Sequence, residues 1–154
     1  MADTEQGFEI QKIFLKDVSF ESPNSPEVFR EKWQPKTDIH LTSQNIKLTD
    51  ELYEVTLNVS VTSKQNEKTA FLVELKQSGV FLIKDFPEEQ RNHLLGSYCP
   101  HTLFPFAREA VAELISKGGF PPLLLSPVNF DALYAQQMAQ QKEQLQATGK
   151  TTKH

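Results

Sequence analysis

A single cysteine among 154 residues excludes an internal disulfide and fits a reducing compartment. Basic residues are outnumbered, with 16 Lys and Arg against 20 Asp and Glu. That balance, without a basic cluster or an RNA-reading motif, argues against a nucleic-acid partner. No apolar run approaches the ~20 residues that a membrane span needs, so no membrane insertion is expected. The opening MADTEQGFEI has neither the basic start nor the apolar stretch of a secretory signal. A cytoplasmic location is the expectation.

Catalytic and metal signatures are missing too. There is no glycine-rich phosphate loop, no GxSxG and no HExxH. His93, Cys99 and His101 do not fall at zinc-ligand spacing, and His40 and His154 are isolated. Cys99-Pro100-His101 invites a nucleophile reading. Free cysteine is among the most buried residue types, however, and no nearby carboxylate orients the histidine. The expectation is a protein that is not an enzyme and has no cofactor.

What is present alternates first and turns helical later. The length suits one domain, placed at residues 1–146, with 147–154 a disordered polar tail. Phe8–Phe20 reads as a long strand of imperfect parity, taken as covered on both faces where Ile13 and Leu15 fall. Thr37–Leu48 and Glu51–Thr62 read as a hairpin. In the second, Tyr53, Val55, Leu57, Val59 and Val61 face one side and polar residues the other. Lys68–Ile83 is a fourth strand, with a bulge expected at Ser78-Gly79. A capping-box spacing from Asp85 to Glu88 opens the helical half. Pro100 and Pro105 predict a kink in the first helix, which stops at Gly118-Gly119. A second helix starts near Asn129. The class is α+β: a four-stranded antiparallel sheet with a long irregular crossover loop, then two helices packed on one face.

Two irregular segments carry more apolar area than loops usually do. Glu21–Pro35 is broken by Pro23, Pro26 and Pro35 yet holds Phe29 and the single tryptophan, Trp33. Phe120–Val128 combines Leu123, Leu124 and Leu125 with Pro121, Pro122 and Pro127. Loops run over the surface, so a neighbouring subunit or a partner must cover these side chains. With Tyr134 and Met138 of the second helix they form a candidate groove; the competing reading is plain core. Asp17 and Glu21 project from one strand face about 13 Å apart at 3.3 Å per residue. Glu74 flanks an outward Leu72. Acid beside an exposed leucine is the composition of a docking surface for a basic, partly apolar partner, or else an ordinary solvated face. A rigid adaptor for one folded partner would share the acidic face but need no groove.

KDVSFESPN, Phe29–Pro35 (FREKWQP), Tyr98–Glu109 (YCPHTLFPFARE) and Pro127–Leu133 (PVNFDAL) together resemble SecB, the bacterial protein-export chaperone family, from about Phe8 to Met138. The resemblance implies a cytoplasmic homotetramer, a dimer of dimers, of α+β fold. It implies a holdase that binds unfolded precursor proteins without ATP and delivers them to the export motor SecA. By similarity, Asp17, Glu21, Leu72 and Glu74 match the SecA-docking face, and Phe71, Val73 and Gln77 match positions that affect tetramer assembly. Phe29, Trp33, Leu124, Leu125, Tyr134 and Met138 match the client groove. SecA's own zinc-bearing C-terminal tail would bring the only metal.

Overall fold

In a computed structural model of the chain, residues 5–151 are described, and side chains for 5–147. Residues 152–154, the end of the expected tail, lie outside the described residues. The backbone from 147 to Thr151 continues the last helix. Four strands, β1 (Gly7–Glu21), β2 (Lys36–Lys47), β3 (Leu52–Gln65) and β4 (Lys68–Lys84), form one antiparallel sheet in the order β1-β4-β3-β2. The β3–β4 hairpin closes on Asn66 and Glu67, both left-handed at φ 51° and 67°, as a tight hairpin turn requires.

The imperfect parity of β1 has a simple cause. Its register steps over Gln11 and again over Lys16, while β4 opposite stays continuous. Each bulge swaps the faces, so Phe8, Ile10, Ile13, Leu15, Val18 and Phe20 all share the face of Phe81, Leu75 and Val73. The strand is therefore not covered on both faces, and Phe14 alone of its apolar residues turns the other way. The bulge expected at Ser78-Gly79 does not form: both residues pair regularly on either side. Gly79 serves close approach instead, because a Cβ there would meet Leu103 and the Phe81 ring at 3.0 Å or less.

The helical half is α1 (Glu88–His93), a π-helical turn (Leu94–Tyr98), α2 (Cys99–Lys117) and α3 (Phe130–Thr151). The capping box does not form; Asp85 sits at φ 61°, Pro87 precedes the first turn, and no side chain caps it. The break expected at the prolines is the π turn. Pro100 lacks an N–H and would crowd the carbonyl four residues back, and the wider turn just before it relieves that conflict. Beyond it α2 runs unbroken through Pro105. At its end, Gly119 N–H bonds the Ser116 carbonyl and Phe120 N–H that of Ile115, with Gly119 at φ 90°. This is the left-handed stop that only glycine takes cheaply.

Leu103, Ala107, Val111 and Ile115 of α2 are buried against Val55, Leu57, Val61 and Val73 of the sheet. The opposite sheet face has no element over it among the described residues. α3 is held through the π turn, with Tyr134 lying over Gly96.

Candidate functional site

The crossover loop is a packed loop because its polar groups are satisfied by the sheet. Asn24 Nδ2 donates to the Thr69 carbonyl at 2.8 Å and Ser22 Oγ to that of Ala70 at 3.1 Å. Gln34 N–H donates to buried Gln65 Oε1 at 2.7 Å. These bonds hold Phe29 and Trp33 over the end of α2, where Gly119 hands the chain to Phe120. Phe120 is the centre of an aromatic cluster, with ring centroids 5.1 Å from Phe29, 5.2 Å from Trp33 and 5.0 Å from Phe71. Phe29 still leaves 48% of its surface to solvent.

Tyr134 and Met138 belong to a different place. Asn129 Oδ1 accepts from Ala132 N–H at 3.0 Å and starts α3 at the opposite end of α2. There Ser97 Oγ donates to Asp131, and His93 Nε2 bonds the same carboxylate at 2.8 Å. Together these contacts, Ser97 first, hold the Asp131 carboxyl below the usual carboxylate range. The Tyr134 ring meets His93 edge-on at 5.5 Å. The expected groove residues thus form two clusters, one at each end of α2, a helix about 28 Å long at 1.5 Å per residue.

The proline-rich connector joins them. It returns antiparallel to α2, burying Phe120, Leu125 and Phe130 and leaving Leu124 74% exposed. Leu125, at 6%, is part of the core and not of any open surface. Leu124 edges a shallow trough along α2 in which Pro105 and Ala112 alternate with Arg108, Glu109, Glu113 and Ser116. Sequence reasoning missed this trough, and also exposed Tyr98 and Phe106. Its signal was the set of α2 positions lying off the buried stripe.

On the open sheet face the register brings the acidic set together. Glu21 pairs with Leu72, Ser19 with Glu74 and Asp17 with Lys76, all on the side away from α2. The sequence placed these four residues on one surface, and the structure does too. Phe71, Val73 and Gln77 lie on the other side, buried within the chain itself. Gln77 Nε2 donates to the Phe14 carbonyl at 3.1 Å, beside the second β1 bulge. Any effect of these three on assembly must pass through the elements above them.

Cys99 is fully buried, and burial pushes its thiol up to about 12, far from a thiolate at neutral pH. Among the described residues no group of three or more His, Cys, Asp or Glu is placed to hold a metal ion. Among the described residues no helix is long and apolar enough to cross a membrane. The trough thus lies between the two clusters, and the acidic residues lie on the other face of the sheet.

A family model described as preprotein translocase subunit SecB matches residues 1–141. The chain belongs to the SecB family. Protein-export protein SecB of Methylococcus capsulatus is 58% identical over 142 residues, spanning 91% of this chain and 92% of that one. Its counterpart from Thioalkalivibrio sulfidiphilus is 60% identical over 134 residues, spanning 86% and 80%. Among solved structures, a SecB-like chaperone of Mycobacterium tuberculosis, in complex with an antitoxin peptide, superposes at TM-score 0.66. It covers 79% of this chain and 90% of that chain at 16% identity, a likeness of fold. SecB proteins are chaperones of protein export and not enzymes.

Proposed function

We propose that this SecB-family chain is an ATP-independent holdase. It captures unfolded precursor proteins along α2, keeps them competent for translocation and delivers them to SecA through the open sheet face. The observation that carries the reading is the pairing of exposed apolar groups with irregular backbone. Exposed Phe29, beside half-buried Trp33, lies at one end of α2, Leu124 stands at mid-length, and Met138 is exposed on α3, which starts at the other end. Unfolded chains share apolar side chains and little else, so a holdase needs spaced, sequence-tolerant contacts. Met138 adds a flexible thioether and the rings rigid area.

The delivery step rests on Asp17, Glu21, Leu72 and Glu74, an acidic surface with an apolar residue at its centre that suits a basic, partly apolar tail such as SecA's zinc-bearing C-terminus. Self-association into a homotetramer, a dimer of dimers, is supported by exposed Leu15, Val18 and Ile39. All three lie on the face carrying α2 yet remain exposed beside it, and both edges of the sheet are open. The cytoplasm is the compartment in which such a carrier would meet precursors before export.

The test is an anisotropy titration of one labelled precursor in its denatured and native forms, without nucleotide. The reading expects saturable binding of the denatured form only. Equal affinity for both forms would point to the rigid adaptor.

A further inference from the structure

The open sheet face is not flat at its acidic end. Two register rows run across all four strands there: Asp17–Lys76–Asn58–Thr42 and, next to it, Ser19–Glu74–Ser60–His40. Between the rows lie Val18, Leu75, Val59 and Leu41, whose side chains turn to the opposite face; Leu75 and Val59 are buried there, Leu41 is half-buried and Val18 stays exposed. Most of the row residues are small and polar. The result is a furrow of about 210 Å³ walled by the two rows and floored by backbone at Val59 and Leu75.

The furrow crosses the strands and does not follow them. Strands lie about 4.8 Å apart, so from β1 to β2 it measures roughly 14 Å, the length of four or five extended residues. Its β1–β4 end carries Asp17 and Glu74, and Glu21 lies one row away. At its far end Asp38 pairs with Thr62 one row beyond His40, and Asn58 Nδ2 donates to Thr42 Oγ1 at 3.3 Å. Hydroxyl and amide groups along both walls can meet the N–H and C=O groups of a chain laid between them.

We infer that the docking surface for the basic partner segment is this whole furrow, continuing past the acidic β1–β4 end to His40 and Thr42 on β2. The segment lies extended across the strands. Acid at the β1–β4 end fixes its basic residues, and the serine, asparagine and threonine walls take its backbone. Its occupant is a basic peptide, because the carboxylates around the furrow outnumber Lys76. The inference rests on the reading of the acidic face as the delivery site, and it adds residues of β2 and β3 that no part of that reading uses.

The experiment is anisotropy titration of a labelled synthetic peptide of the SecA tail against the assembled full chain. Three kinds of variant are compared: Ser60→Trp, which fills the furrow at mid-length; His40→Lys and His40→Glu, which reverse charge at its far end; and Glu74→Lys. All point to solvent from the open face, and circular dichroism checks that each is folded. Ser60→Trp should weaken binding about tenfold. His40→Lys should weaken it a few-fold and His40→Glu tighten it by a similar factor, with salt dependence changing in the same sense. If Glu74→Lys weakens binding while the Ser60 and His40 variants bind as wild type, the segment stops at β4 and the inference is wrong. If Glu74→Lys is silent as well, the delivery reading has failed and takes the inference with it.

Discussion

Leu124 and Leu125 are neighbours of identical chemistry with opposite exposure, and truncating each to alanine separates capture from stability. Leu125 is 6% exposed and packs in the core; Leu124 is 74% exposed and touches little of its own chain. Leu125→Ala removes buried methyls and leaves a cavity, at a cost of about 2–4 kcal/mol. For a domain of this size each kcal/mol shifts the midpoint by about 2–4 °C, so a drop of roughly 4–16 °C is expected. Leu124→Ala should change stability by less than about 0.5 kcal/mol. If a client covers Leu124, it buries most of a leucine, worth about 1–2 kcal/mol per site, or roughly 5- to 30-fold in affinity. The assays are thermal unfolding by circular dichroism and titration with a denatured precursor. An unmoved midpoint for Leu125→Ala, or wild-type affinity for Leu124→Ala, would refute the assignment of one to core and the other to groove.

Asp131→Asn should loosen α3, since the Ser97 and His93 contacts that depress this carboxyl prefer its charged form. Its folded pKa lies below the unfolded value of about 3.9, so the stabilisation is present above that pH and lost as pH falls through the folded pKa; slowed amide exchange in α3 at neutral pH, erased at acid pH and in the variant, is the expected readout. Gln77→Ala strands the Phe14 carbonyl beside the β1 bulge, at a cost of about 1–3 kcal/mol; sedimentation should show weaker assembly, because β1 carries exposed Leu15 and Val18, and unchanged sedimentation would contradict the transmission argued above. Glu74→Lys should weaken binding of the SecA tail while leaving denatured-precursor binding intact, and wild-type tail binding should fall as salt rises past the point where the Debye length is about 8 Å. Wild-type tail affinity for that variant in calorimetry would move the delivery site elsewhere.

The strands were legible because period-2 alternation states burial directly. Glu51–Thr62 has an apolar and a polar parity, and β3 buries the apolar one, with Glu54 and Thr56 of the polar one buried as well. β1 was legible in extent but not in facing, since its two bulges are set by pairing with β4 and leave no local mark. Helix stops and starts could be read where glycine or asparagine dictated them, at Gly119 and Asn129. The capping box failed because Asp85 takes a left-handed turn out of β4 instead of preceding a helical residue. Composition marked Phe29, Trp33, Leu124 and Leu125 as unusual loop material. It could not show that α2 stands between Trp33 and Tyr134, or that Leu125 turns inward while Leu124 turns out. Those are three-dimensional facts that follow from the return path of the connector.

The central claim is that this chain holds unfolded precursors without nucleotide, and the most direct measurement is the refolding rate of a slow-folding denatured precursor with and without the purified protein. The account predicts that stoichiometric protein, with no ATP present, slows or halts recovery of native structure, and that Leu124→Ala with Met138→Ser restores much of the free rate. A refolding rate that is the same with and without the wild-type chain would contradict it.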